Sequence, residues 1–186
     1  MYPQEYEQLI GFHGHSCPGL ALGYRMVKTA MEKYHLGKVE DEETLTIVEN
    51  DSCSVDAVQF LLGCTFGKGN LIFKDHGKQV FTFVTRPTGK ALRVSLLPHA
   101  MDMPEGATKS RMQMTREEMV EKILSMPEEE LLKVEEMTID SPQKAQIHSS
   151  VICDLCREPI METRTVKKSG KTYCIPCANK LSKEPS

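Results

Sequence analysis

Two imidazoles and one thiol lie at alternate positions near the start of the chain, at His13, His15 and Cys17. Pro18 follows the thiol, and proline suits the first turn of a helix because an N–H would have no partner there. The sequence therefore places Cys17 at a helix N-terminus, where the helix dipole and free amides favour a thiolate. An extended approach would point both imidazoles to the same side. The pattern indicates a metal site or a reactive thiol, and a structural helix-capping turn is the alternative interpretation.

A second thiol, Cys53, has a comparable place in the sequence. The β-branched run at 45–48 predicts a strand, and apolar residues at helical spacing over 55–62 predict a helix that begins just after Cys53. Asp56 lies in the first turn of that helix, where a carboxylate more often caps the helix than takes part in catalysis. The sequence therefore gives three candidate catalytic residues, Cys17, Cys53 and Asp56.

Cys64 follows this helix in a glycine-rich turn. A free cysteine is usually a small buried residue, but Cys64 is also a third thiol that could face the same site. The turn does not match a nucleotide-binding loop, because three residues instead of four precede its Gly-Lys pair and no Ser or Thr follows. The candidate ligands of a core metal are therefore the following five: His13, His15, Cys17, Cys53 and Cys64.

The most specific pattern in the chain is a pair of Cys-x-x-Cys units near the C-terminus, formed by Cys153, Cys156, Cys174 and Cys177. Their spacing falls in the range of four-cysteine zinc sites. A closed site of this kind leaves no position for a substrate and serves folding. A redox pair or an iron–sulfur site is the alternative. The segment is locally basic but lacks interleaved aromatic residues, which argues against nucleic acid as a partner.

The remaining pattern predicts the elements that must position these residues. Apolar residues recur at helical spacing over 19–34, and two alternating runs at 79–85 and 91–97 predict an antiparallel hairpin with one buried face. A capping box at Thr115 opens a helix that runs through Ser125, and 134–139 predicts a last strand. The expected fold class is α+β, with a mixed or antiparallel sheet packed against helices and a small C-terminal zinc ribbon.

Length and composition agree with a core domain followed by a small second domain. The chain has 186 residues, 40% of them hydrophobic and 26% charged, and a net charge of −3, which gives no nucleic-acid footprint. The polar, proline-containing stretch 140–150 predicts a linker between a domain at 1–139 and a ribbon at 151–186. The sequence shows neither a signal peptide nor a membrane-spanning run, so we expect a cytoplasmic protein that does not contact membranes.

With these residues in view, the chain resembles the FmdE family, which is named after formylmethanofuran dehydrogenase. The matching motifs are HGHSCPGLALG from His13, DSCSVDAVQFLLGCTFGKGN from Asp51, and the C-terminal ribbon of longer members. The resemblance implies an α+β core, a homodimer, and a metal or thiol site built from the first two motifs. It carries over to these positions: His13, His15, Cys17, Cys53, Asp56, Cys64 and Lys68.

The family resemblance also implies a link to molybdenum- or tungsten-dependent one-carbon oxidation. The chain has no molybdopterin, ferredoxin or amidohydrolase signature, so it is not the catalytic component of such an enzyme. Our first hypothesis is a metal-binding accessory protein of a molybdoenzyme complex, with zinc in the ribbon and a second transition metal in the core. The alternatives are a thiol- or metal-dependent enzyme that uses Cys17 or Cys53, and a ribbon adaptor or regulator.

Overall fold

The computed structural model of the protein describes residues 2–86, 88–102, 113–140, 142–143 and 146–183. The chain divides into two compact units, residues 1–145 and 146–186. We call them the core unit and the ribbon. Residues 141 and 144–145 of the predicted linker lie outside the described residues.

The core unit begins with two helices that meet near the His/Cys motif. Helix α1 spans Gln4–His13 and α2 spans Pro18–Tyr34. The sequence predicted α2 but not α1, whose buried face consists of Tyr6 and Leu9. Gly14, with φ 98°, ends α1 in the left-handed conformation that glycine adopts without strain. The approach to Cys17 is therefore a helix end followed by a tight turn, and the expected extended segment at His13 is wrong.

The core unit contains a five-stranded mixed sheet in the order β2-β1-β3-β4-β5. The strands are β1 Thr44–Val48, β2 Leu71–Phe73, β3 Val80–Thr85, β4 Lys90–Leu96 and β5 Leu132–Thr138. Strand β1 pairs parallel to β2 and antiparallel to β3, and the other neighbours are antiparallel. The predicted hairpin, the strand at 45–48 and the last strand are present, whereas β2 was not predicted.

The segment between β1 and β2 is a crossover that carries the second motif. It contains α3, Val55–Ala57, which continues as a π-helix over Val58–Leu62. Gly63, with φ 70°, ends this helix. The sequence predicted one regular helix here, and apolar spacing does not distinguish α from π hydrogen bonding. π-Helical turns are rare and occur often at functional sites.

The described part of the core unit has two further helices, α4 at Arg116–Ser125 and α5 at Glu128–Leu131. The predicted capping box of Thr115 and Glu118 is present at the start of α4.

The main hydrophobic core joins the helices to one face of the sheet, with Tyr6, Leu20, Met26, Phe81 and Phe83 fully or almost fully buried. The opposite face is not fully open, because a second buried cluster forms around Leu45, Ile47, Val84 and Ala91. Strand β3 is therefore buried on both faces, which corrects the expectation of a single buried face. A central strand can be buried on both faces by residues from other parts of the chain, and the alternation of its own residues does not reveal the second buried face.

The ribbon contains two small hairpins and a terminal helix. Strand β6, Ser150–Ile152, pairs with β7, Pro159–Met161, and β8, Thr165–Lys168, pairs with β9, Lys171–Cys174. Helix α6 spans Ile175–Lys183. The turn between β8 and β9 consists of Ser169 and Gly170, both with positive φ. The buried cluster of the ribbon consists of three cysteines, Cys153, Cys174 and Cys177, against which Ile160 and Tyr173 pack.

Among the described residues, no helix has the length and apolar character needed to cross a lipid bilayer.

Candidate metal centres

Cys17 is the N-cap of α2, as the sequence predicts. Its backbone is extended, Pro18 occupies the first helical turn, and its Sγ accepts a hydrogen bond from the Leu20 amide at 3.4 Å. The side chain is only 7% exposed. The sulfur therefore lies in a fixed position at the positive end of a 17-residue helix dipole.

His13 lies between a carboxylate and this sulfur. Its Nδ1 is 2.6 Å from Asp56 Oδ2, and its Nε2 is 3.9 Å from Cys17 Sγ. A carboxylate at Nδ1 holds the proton on that nitrogen, so the Nε2 lone pair points towards the sulfur. Asp56 is held in turn by Gln59, whose Nε2 donates to Oδ1 at 2.9 Å. The helix-capping role expected for Asp56 is replaced by a contact with His13.

His15 completes a group of three ligand atoms. Its ring centroid lies 4.6 Å from that of His13. One nitrogen of each histidine and the Cys17 Sγ lie within 4.8 Å of one another. Cys17 is buried, His13 is half-buried and His15 is exposed. Two imidazoles and one thiol at these separations could hold a transition-metal ion, with the exposed His15 on the solvent side.

Cys53, on the crossover segment, is not one of the three residues whose ligand atoms lie within 4.8 Å of one another, but its thiol interacts with that of Cys17. Burial raises the pKa of the Cys53 thiol, and its interaction with the thiol of Cys17 raises it further. The expectation that both helix-end cysteines favour thiolate is therefore wrong for Cys53. Its helix begins only after Ser54 and has three α-helical residues. We call His13, His15, Cys17 and Cys53 the core site.

Two glycines of α2 allow the crossover to approach. A Cβ on Gly19 would lie 3.3 Å from the Cys53 Cβ, and one on Gly23 would lie 2.2 Å from the Ser54 carbonyl oxygen. The second distance is shorter than any real contact of a Cβ, so no other residue fits at position 23 without displacing the backbone at Ser54. The meeting of the two motifs thus depends on close backbone packing against α2.

Cys64 and Lys68 lie away from the core site. Cys64 is fully buried, and its sulfur contacts the Thr46 hydroxyl at 3.5 Å and the Thr44 carbonyl at 3.6 Å. These residues begin β1, whereas the segment with Cys53 follows the end of that strand. Lys68 Nζ donates to the Val39 carbonyl at 3.0 Å. The structure therefore does not bring Cys64 to the histidines, and its contacts are those of a buried core residue.

The ribbon brings its four cysteines together as the spacing predicts. The sulfurs of four cysteines all lie within 4.8 Å of one another: Cys153, Cys156, Cys174 and Cys177. The Cys174 amide donates to Cys153 Sγ at 3.3 Å, and the Cys177 amide donates to Cys174 Sγ at 3.4 Å. Such N–H···S bonds stabilise thiolates. Although burial opposes ionisation, backbone amides, with that of Cys174 foremost, lower the pKa of Cys153 to about 6.

This donor set fits zinc. Four thiolates in a closed group satisfy tetrahedral Zn²⁺, with no position left for a substrate. When bound, the ion would be held by Cys153, Cys156, Cys174 and Cys177. The unit has no other substantial core among its described residues, so the metal would supply the cross-link that a small domain requires.

Some residues that support the core site were not apparent in the sequence. Gln59 follows Asp56 by three positions on one helical turn, a spacing that could have indicated their contact. The hydroxyl of fully buried Tyr6 lies 3.1 Å from the Oγ of Ser16, the residue between the candidate ligands His15 and Cys17 in the sequence. Tyr6 belongs to the helix that was not predicted, so this contact could not be anticipated.

Comparison with known proteins identifies the core unit. The sequence model of the family described as FmdE, Molybdenum formylmethanofuran dehydrogenase operon, matches residues 12–133, more than half of the chain. The chain belongs to the FmdE family. The model of the prokaryotic dksA/traR C4-type zinc finger matches residues 149–183, which include all four ribbon cysteines.

Two individual proteins resemble the chain. A tungsten formylmethanofuran dehydrogenase FmdE-like protein from Syntrophus aciditrophicus has a similar crystal structure, with a TM-score of 0.71 and 25% identity over 94% of this chain and 90% of that one. A probable S-adenosyl-L-methionine-binding protein from Archaeoglobus fulgidus is 37% identical over 90% of this chain. The chain spans 50% of the length of this curated relative. The present protein is thus a metal-binding FmdE-like protein with a zinc-finger domain.

Proposed function

We propose that this FmdE-like protein binds a second transition metal at the core site and acts as an accessory protein of a molybdenum or tungsten one-carbon oxidoreductase system. The observation that carries the proposal is the convergence of His13, His15 and Cys17 within 4.8 Å. Cys53, whose thiol interacts with that of Cys17, is the fourth candidate ligand. Mixed nitrogen and sulfur ligands suit zinc, nickel or copper.

The surroundings of His13 support metal binding. Metal-bound histidines generally donate their second ring N–H to a carboxylate, which fixes the tautomer and raises the basicity of the ligand nitrogen. The 2.6 Å contact between Asp56 and His13 Nδ1 has this form and directs Nε2 towards Cys17. Gln59 holds the carboxylate in place by a hydrogen bond to its other oxygen, Oδ1.

Metal analysis of the purified full-length protein tests the proposal. We expect two metal ions per chain, one in the ribbon and one in the core site. Joint replacement of Cys17→Ser and Cys53→Ser should leave one ion, whereas Cys64→Ser is the matched control and should keep both. A metal content unchanged by the double replacement would refute a core metal.

A thiol enzyme is the second candidate, and one observation favours it. Cys17, His13 and Asp56 lie in the order nucleophile, base and orienting carboxylate, with the thiol at a helix N-terminus. The raised pKa of Cys53 argues against that residue as the nucleophile. Alkylation rates of the metal-free protein against pH separate the candidates. An activated Cys17 should react well below pH ~8.5, the value of an ordinary thiol.

The proposed link to molybdenum or tungsten enzymes has a direct test. It is supported by the operon named for the family and by the tungsten enzyme named for the Syntrophus protein. We expect the full-length protein to bind a purified formylmethanofuran dehydrogenase in biolayer interferometry, and to be a dimer by light scattering. Lack of binding at micromolar concentrations would remove this part of the proposal while leaving the metal site intact.

The name of the Archaeoglobus relative makes S-adenosylmethionine a further ligand to test. This chain aligns with about half of that protein. Calorimetric titration of this chain with S-adenosylmethionine tests whether it shares that ligand. A heat of binding would show that this chain shares the ligand named for the relative, and no heat at millimolar ligand would show that it does not.

A further inference from the structure

A second cluster of polar and charged side chains lies on the face of the sheet opposite the main core. Strand pairing places Thr82 of β3 next to Ile47 of β1 and next to Arg93 of β4. Directly paired residues point to the same face of a sheet, and Ile47 belongs to the second buried cluster on that face. Cys17 of the core site is instead part of the main core. The polar cluster is therefore distinct from the core site.

Ile47, Thr82 and Arg93 line a cleft of about 340 Å³. Its other lining residues come from the ends of β1 and β2, and from the end of β5 with the segment that follows it. They include Glu49, Lys74, His76, Met137, Ile139 and Asp140. At about 30 Å³ for each water-sized group, the cleft has room for roughly eleven such groups. This is the size of a small organic molecule rather than of a single ion.

The hydroxyl of Thr82 indicates that the cleft takes a ligand. Thr82 is only 7% exposed and lines the cleft. The described residues offer its hydroxyl no hydrogen-bond partner. Buried polar side chains are nearly always hydrogen-bonded, so a polar molecule in the cleft would supply the missing partner.

Arg93 also has unused hydrogen-bond donors at the cleft. Its Nη1 donates to Glu135 Oε2 at 3.2 Å, whereas its Nη2 lies 3.9 Å from Glu49 Oε1, beyond hydrogen-bonding distance. Lys74 is exposed and has no ion-pair partner within the part of the chain that the structure describes. A guanidinium with free N–H groups, together with an ammonium, suits a carboxylate.

Two carboxylates of the lining balance these two cations. The side chain of Glu49 is 13% exposed, and its Oε2 lies 3.0 Å from His76 Nδ1. Its Oε1 accepts no hydrogen bond from any described residue, and Asp140 likewise has no described partner. The charges of Lys74 and Arg93 therefore cancel those of Glu49 and Asp140. A ligand of a single sign would meet like charge, so charge complementarity favours a small molecule that carries both signs.

We propose that this cleft binds a free amino acid with an apolar side chain. The ligand carboxylate accepts hydrogen bonds from Arg93, Lys74 and the Thr82 hydroxyl. The ligand ammonium donates to Glu49 and Asp140, and the ligand side chain packs on the apolar residues of the lining. Binding on this face of the sheet requires no metal in the core site, so the inference stands apart from the proposed function.

Proton–nitrogen NMR titration of the full-length protein tests the proposal with three probes. L-Leucine carries both charges, 4-methylpentanoate lacks the ammonium, and 3-methylbutylamine lacks the carboxylate. We expect saturable shifts of the amides of Thr82, Arg93 and Glu49 with L-leucine. Either analogue should bind at least about tenfold more weakly, because each loses hydrogen bonds to charged groups. Equal affinity for one analogue would refute recognition of both charges, and the absence of saturable shifts with L-leucine would refute the site.

Two variants locate the binding. Thr82→Val removes a hydroxyl that has no described partner, so it should not lower stability against urea, yet it should weaken L-leucine binding by about 2- to 10-fold. Lys74→Gln should weaken binding by about tenfold and leave stability unchanged. Thr85→Val, on the same strand but outside the cleft lining, is the matched control and should bind as the unsubstituted protein does. L-Leucine binding that neither Thr82→Val nor Lys74→Gln weakens would refute the assignment to this cleft.

Discussion

The ribbon and the core site both gather thiols, but they do so by opposite routes. The ribbon places four cysteines within a unit whose buried cluster consists of three of them, against which Ile160 and Tyr173 pack. The core site takes its residues from two segments that a large hydrophobic core already holds together. In the ribbon, metal binding should therefore create the fold. In the core unit, the fold should create the metal site.

Metal removal should separate these two cases most strongly. A strong chelator should unfold residues 146–183, because structural zinc sites contribute about 10–16 kcal/mol of folding free energy, while the core unit keeps its structure. Proton–nitrogen NMR spectra should lose dispersion for ribbon amides alone. Cys153→Ser should give the same result without a chelator. Equal loss of dispersion in both units would contradict the comparison.

Replacement of one glycine should destabilise the core unit and thereby disrupt the core site. Gly23→Ala forces a Cβ to within 2.2 Å of the Ser54 carbonyl oxygen. We expect overpacking of this kind to lower the free energy of unfolding of the core unit by about 1–3 kcal/mol, and the core metal to be lost. Urea denaturation and metal analysis measure the two effects.

Gly11→Ala is the matched control, since a Cβ on Gly11 in α1 meets nothing within 4 Å. Alanine in a helix interior should stabilise the core unit by about 0.5–1 kcal/mol. A destabilisation equal to that of Gly23→Ala would show that the effect does not come from the contact with Ser54.

Asp56→Asn should weaken the core site without unfolding the protein. Loss of the carboxylate that orients a ligand histidine typically reduces metal affinity by about 10- to 100-fold. The ribbon ion should be unaffected. Competition with a chromogenic chelator gives both affinities. Unchanged core affinity would remove His13 from the ligand set.

Acid should act on the two units at different pH. Protons compete with metal for the ribbon thiolates, so zinc release should come first as the pH falls. In the core unit, burial of Glu128 opposes ionisation, but hydrogen bonds from Thr29 and Lys33 lower the pKa of this carboxylate below its usual value. A carboxylate whose pKa is lower in the folded protein than in the unfolded chain stabilises the fold at pH values above its unfolded pKa. This stabilisation is lost as the pH falls through its folded pKa.

Glu128→Gln should therefore slightly reduce stability at neutral pH and flatten the dependence on pH below about 4.5, the usual region of carboxyl titration. Denaturant unfolding curves of both proteins at several pH values measure the stability and its dependence on pH. A ribbon that kept its zinc at a pH where the core unit unfolds would reverse the expected order.

Local signals in the sequence predicted much of this structure. Pro18 identified the start of α2, the capping box at Thr115 identified α4, and the two Cys-x-x-Cys units identified the ribbon. Each of these features depends on residues close together in the chain. Features that depend on distant packing were not predictable. The contact between His13 and Asp56 joins residues 43 positions apart, and Cys64 is separated from Cys53 because the chain runs along β1 between their surroundings.

Other differences come from signals that were weak or absent. Helix α1 has acidic residues in its first turn and only two buried side chains, Tyr6 and Leu9, so its periodicity is faint. His35 ends α2 in a left-handed conformation with φ 51°, which a non-glycine residue rarely adopts. The three residues of β2 are too few for alternation to be recognised.

The parallel pairing of β1 with β2 also determines when the core site can form during folding. The hairpin of β3 and β4 is local and needs only a short turn, whereas β2 reaches β1 after a crossover of more than twenty residues that includes Cys53 and Asp56. Contacts between distant residues form slowly because loop closure must precede them. The β3–β4 hairpin should therefore form first, and the histidines and thiols should meet only after the longer crossover has closed.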